Sequence, residues 1–78
     1  MECNGYKNYD TWNVAMWLNG DEGLYRAMVE WHNSNKKGTY DDLVSYLGLE
    51  GASTPDGVSF TSSKIDKAAL KRVIHDHS

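Results

Sequence analysis

Four short runs of apolar residues fall at helical spacing along this chain, each bracketed by residues that start or stop a helix. The clearest run places Leu24, Ala27, Met28 and Trp31 at i, i+3, i+4 and i+7. That spacing puts them on one face and predicts a helix over 21–33. Asp21 and Glu22 stand at its start, where the helix dipole favours acids, and Gly23 weakens the first turn by up to about 1 kcal/mol relative to alanine. Upstream, Val14, Trp17 and Leu18 predict a short helix over 10–19, capped by Asn8 or Asp10. Asn19-Gly20 ends it, since both residue types tolerate the left-handed conformation. After the polar connector Asn33 to Gly38, Leu43, Val44 and Leu47 predict a third helix. Thr39 and Asp42 read as a weak capping box at its start, and Gly48 stops it. Ile65, Ala69, Leu70, Val73 and Ile74 make the broad face of a last helix over 64–76, where Ser63 with Asp66 repeats the cap signal.

Between the third and fourth helices, Thr54-Pro55-Asp56-Gly57 matches a type I turn. Val58 and Phe60 alternate with Ser59 and Thr61 over a stretch too short to form a sheet alone. The pattern predicts an all-α fold, a compact four-helix small domain spanning residues 1–78, with 1–8 as an irregular lead-in. Trp17, Leu24, Met28, Trp31, Leu43, Leu47, Ile65 and Val73 are the expected core. A chain of 78 residues buries only about 60 to 65% of the surface its unfolded form exposes. The lone Cys3 excludes an intramolecular disulfide, so burial must come from three tryptophans and five tyrosines, each covering about 150 to 250 Å².

The composition points to the cytoplasm: one cysteine, no basic start followed by an apolar run, and no stretch of about 18 apolar residues to span a bilayer. The net charge of -3 is mild but uneven. Residues 1–62 carry nine acids and four bases, while 63–78 carry two acids and four bases. No catalytic or cofactor motif is present. Asp21-Glu22 and Asp41-Asp42 fall in first helical turns, which explains them without acid/base catalysis. Cys3 lacks a neighbouring histidine or base that would activate it. His75 and His77 point about 200° apart on a helix and read as a solvated tail rather than a zinc site. His32 reads as a helix C-terminal residue interacting with the dipole. The expectation is therefore no enzyme, no metal and no cofactor.

Residues 8–25, NYDTWNVAMWLNGDEGLY, concentrate aromatic mass on the first helix and its flanks. Val14, Trp17 and Leu18 share a side, and Trp12, Met16 and Asn19 occupy other arcs, so the helix is apolar around more than one face. Such a helix is either buried between neighbours or carries an interface, since tryptophan, tyrosine and methionine are enriched where proteins meet. The candidate partner-binding surface combines Tyr6, Tyr9, Trp12 and Met16 with the acids Asp10, Asp21 and Glu22. An alternative site is nucleic acid on Lys64, Lys67 and Lys71, at i, i+3 and i+7, with Arg72 adjacent. The surrounding negative charge opposes it.

The blocks Asn4-Gly5-Tyr6, Asn8 to Leu18, and Asp21-Glu22-Gly23-Leu24-Tyr25 resemble a family of short, mostly uncharacterised proteins from tailed phages and prophages. Its members typically read NGYxNYxTWNVALW followed by NDEGLY. Thr54 to Phe60 is similar to the family's second block, in which tryptophan often stands at the place of Phe60. Met16 for leucine and Gly20 for asparagine are small departures. The resemblance implies context rather than mechanism: a protein made inside the host cell, during infection or from an integrated element. Small phage proteins without catalytic residues commonly bind a host protein and block or redirect it, so the expectation is a host-directed binding protein, an inhibitor of restriction, CRISPR effectors or host transcription. A virion or assembly component is the further alternative, and a monomer or weak homo-oligomer is expected.

Overall fold

In a computed structural model that describes residues 2–76, four helices follow one another: α1 (Tyr9–Gly20), α2 (Glu22–Ser34), α3 (Tyr40–Leu47) and α4 (Lys67–Asp76). The all-α expectation is met. The extended pieces among the described residues are isolated bridges, Cys3 with Tyr6 and Ser53 with Ser59.

Helix starts are set by side chains that satisfy free backbone amides. Asn8, in extended backbone, accepts from the Thr11 amide and begins α1, with Asp10 inside the first turn. The break after α1 is not the left-handed Asn19-Gly20 turn expected from the sequence. The chain instead leaves through extended Asp21 (φ -91°, ψ 118°). The Asp21 amide donates to the Trp17 carbonyl to close α1, and its carboxylate accepts from the Leu24 amide to open α2. One residue that serves both ends leaves no room for a separate turn. The Thr39–Asp42 capping box of α3 is complete in both directions, and Gly48 closes α3 at φ 68°, in the left-handed region that glycine adopts without strain.

The last helix starts at Lys67, three residues later than the predicted 64, and Ser63 is not its cap. The amide of Asp66 is taken by the Thr11 hydroxyl (2.9 Å), and the Asp66 carboxylate accepts from the Ala69 amide (3.3 Å). Asp66 is thus the capping residue, and Ile65 reaches the core from the preceding turn.

The core is shared by all four helices and the 54–66 segment. Val14, Leu18, Met28, Leu43 and Leu70 are each at most 1% exposed, and Val58 and Phe60 join them from the loop. Burying an aliphatic or aromatic side chain contributes about 1.5–3 kcal/mol, the main source of stability without a disulfide. Met28, Trp31, Leu43, Ile65 and Val73 lie in the core as expected, and Leu24 and Leu47 pack against it half-buried. Trp17 does not join the core. It is half-buried at the edge, turned so that its indole N–H reaches Asp56. Tyr40 is buried, and its hydroxyl donates to the Phe60 carbonyl at 2.6 Å, tying α3 to the loop. Burial pushes that phenol's pKa up, so it stays a donor.

Candidate functional site

Most polar residues of the 8–17 block hold α1 to the 54–66 segment. The Asn8 amide donates to the Lys64 carbonyl at 2.7 Å, while its oxygen accepts from Thr11. Asn13 is fully buried and uses each of its side-chain groups. Its Nδ2 donates to Asp56 Oδ2 (2.8 Å) and to the Tyr9 hydroxyl (3.3 Å), and its oxygen accepts from the Thr54 hydroxyl (2.7 Å). Trp17 Nε1 donates to the same Asp56 oxygen at 2.9 Å. These donors hold the Asp56 carboxyl below its ordinary range, Asn13 contributing most. The 54–57 turn, closed by the Gly57 amide on the Thr54 carbonyl, exists to present Thr54 and Asp56 to α1. Sequence reasoning missed this lock, although the short polar side chains of Thr54 and Asp56 in a turn opposite a buried asparagine were its available signal.

Outside the lock lie Trp12, Met16 and the ring of Tyr9, whose hydroxyl alone reaches Asn13. Spaced i, i+3 and i+7, they form one stripe along the solvent side of α1. Tyr9 is 49% and Met16 37% exposed, and Trp12 is half-buried. The Tyr9 and Trp12 rings lie 5.5 Å apart at 50°, which supports Trp12 from one side. Trp12 is therefore not enclosed by its own chain. Beside Tyr9 opens a cleft of about 370 Å³ lined by Glu2, Cys3, Asn8, Tyr9, Asp10 and Lys64.

The other proposed members of the surface are placed differently. Tyr6 closes a two-residue turn on Cys3, with Asn4 at φ 51° and Gly5 at φ 88°, and it packs against the core facing Ala69, Arg72 and Val73 of α4. Asp10 accepts from the Ser62 hydroxyl at 2.7 Å, so it lies beside the stripe but is engaged at home. Asp21 caps α2, and Glu22 pairs with Arg26 at 2.8 Å on the open surface. The structure thus puts Tyr9, Trp12 and Met16 on one stripe, leaves Asp10 in the cleft beside Tyr9, sets Asp21 and Glu22 beyond the C-terminal end of α1, and diverts Tyr6. One exposed aromatic was missed: Tyr46, 65% exposed, tilted on Trp31 with centroids 6.4 Å apart. Its position between the apolar Leu43, Val44 and Leu47 of α3 would have placed it outside.

The basic alternative does not form one helical stripe. Lys64 lies in the loop before α4, and Lys67 pairs with Asp41 at 3.0 Å. Lys71 and Arg72 remain exposed, and Arg72 faces the turn at Asn4 and Gly5.

Among the described residues no group of three or more histidine, cysteine or acidic side chains could hold a metal ion. His77 lies outside the described residues. His75 is not solvated as expected: it is half-buried against His32, with ring centroids 4.4 Å apart. His32 stands in the last turn of α2, as expected. It is buried at 4% exposure, because the end of α4 packs over the end of α2. No helix among the described residues is long and apolar enough to cross a membrane.

No curated protein and no solved structure matches the chain. Over residues 1–78 it matches the Family of unknown function (DUF7249), and it belongs to that family.

Proposed function

We propose that this chain is a non-catalytic binding protein that docks on another protein through the Tyr9–Trp12–Met16 stripe. The observation that carries this reading is the division of labour within one helix. Thr11, Asn13, Val14, Ala15 and Leu18 are buried, whereas the three bulky apolar residues on the opposite side stay accessible. Large side chains left on the surface cost solubility and return stability only when a partner covers them. The nine acids over residues 1–62, with Asp10 beside the stripe, select a partner whose apolar pocket has a basic rim. The resemblance to phage proteins makes a host protein in the cytoplasm the target, with restriction, CRISPR effectors or host transcription as the processes blocked.

The test is affinity capture from host cells with wild-type protein and with Trp12→Ala. A central tryptophan anchor contributes about 2 kcal/mol or more to binding, so the variant loses captured partner by about 30-fold or more. Its folding stability stays within about 1 kcal/mol of wild type. Equal capture by both proteins overturns the proposal, as does enzymatic turnover by the purified protein. Sedimentation at micromolar concentration separates a second outcome: self-association lost in Trp12→Ala assigns the stripe to an assembly role instead.

A further inference from the structure

His32 and His75 are absorbed by nothing in the proposed function, and they face each other across the ends of α2 and α4. His32 is 4% exposed, and neither of its ring nitrogens has a hydrogen-bond partner among the described residues. The two rings are 4.4 Å apart between centroids and inclined at 58°. An apolar residue would fill the place of His32 without stranding two nitrogens, so packing alone does not account for an imidazole there. What the imidazole adds is a proton-binding group in the neutral pH range, set against a second one on another helix.

We propose that the His32–His75 contact is an acid-sensitive clasp, which holds the ends of α2 and α4 together while the buried His32 ring is neutral and loosens them when that ring binds a proton. The groups acting on His32 from the elements around it are His75 of α4 and Lys36, just past the end of α2. Both disfavour a positive charge on the ring, and among the described residues no carboxylate acts on it. The backbone of Lys36 favours the charged form by more than its ammonium disfavours it, without reaching hydrogen-bond geometry at either nitrogen.

Burial first, and then the charge of His75, lower the His32 pKa from its ordinary 6.5. The unfolded chain therefore binds the proton first as the pH drops. The stability that the neutral ring allows is complete above pH 6.5 and is lost as the pH falls from there through the lowered value. For each unit of lowering, the unfolding constant rises by about tenfold across that window. This device is independent of the α1 stripe.

The experiment is thermal unfolding of the full chain between about pH 8 and pH 5, for wild type, His32→Leu and His75→Gln, with imidazole proton NMR titration of the wild type. The wild-type Tm falls by about 5 °C or more below pH 6.5 for each unit of lowering, and the fall is much reduced in His32→Leu. In the titration His32 has its midpoint below 6.5, and His75→Gln moves that midpoint upward. Parallel loss of Tm in wild type and His32→Leu overturns the proposal. So does a His32 midpoint at or above 6.5, a readout that stands even if His32→Leu does not fold.

Discussion

At Gly38 the chain passes so close to the core that only hydrogen fits. A Cβ there would lie 2.2 Å from Trp31 Cη2 and 2.6 Å from Cζ2. Trp31 is itself held by the core, so the ring has little freedom to retreat. Gly38→Ala is expected to destabilise the domain by about 1–3 kcal/mol, the usual cost of overpacking, measured as a lower urea midpoint at unchanged slope. Asp56 works by charge rather than volume. Asn13 and Trp17 hydrogen-bond its ionised form and depress its pKa below the ordinary 3.8. The carboxylate's contribution is therefore present above pH 3.8 and lost as the pH falls through the depressed value. Asp56→Asn keeps an acceptor but no charge. Its urea midpoint should lie below wild type at about pH 6, and the two curves should converge as the pH falls through the depressed value, where the wild-type side chain also becomes neutral. A constant gap across that range would show that shape, not charge, secures the 54–57 turn.

At the scale of elements, α3 depends most on its ends. It has eight residues, well short of the roughly 12–15 at which an isolated helix becomes even marginal. Thr39 and Asp42 satisfy amides at its start in both directions. Thr39→Ala is expected to cost about 1 kcal/mol and Thr39→Ser to restore most of it, as read by chemical denaturation. Helices of this kind were legible in the sequence. Apolar spacing and capping residues are local signals, and all four helices and the Gly48 stop could be read from them. The start of α4 was not legible, because it depends on the Thr11 hydroxyl holding the Asp66 amide across 55 positions. Trp17 was misplaced for the same reason: periodicity assigns it an arc of α1, but only the folded chain shows Asp56 waiting there. The site was half readable. The density of aromatic residues in 8–25 marked the helix, while which of them face outward was decided by the returning 54–66 segment.

At the scale of the molecule, that returning segment makes the fold one unit. The Cα radius of gyration, 11.4 Å, is close to the roughly 11.5 Å expected of a compact chain this long. Hydrogen bonds between Asn8 and Lys64, between Asp10 and Ser62, between Thr11 and Asp66 and between Asn13 and both Thr54 and Asp56 bind the first helix to the loop beside the last. Each of these bonds closes a long stretch of chain, so its entropic cost is met only when α2 and α3 are also in place. A change at one of them should therefore be felt far away. Asn8→Ala removes both the α1 cap and the bond to the Lys64 carbonyl, with an expected loss of about 1–2 kcal/mol. If the domain opens as a whole, amide hydrogen exchange accelerates by about 5–30-fold not only at Val14 in α1 but equally at Leu43 in α3 and Leu70 in α4. Acceleration confined to α1 would mean that this helix comes away by itself. The surface that presents Tyr9, Trp12 and Met16 would then be a detachable element rather than a rigid platform.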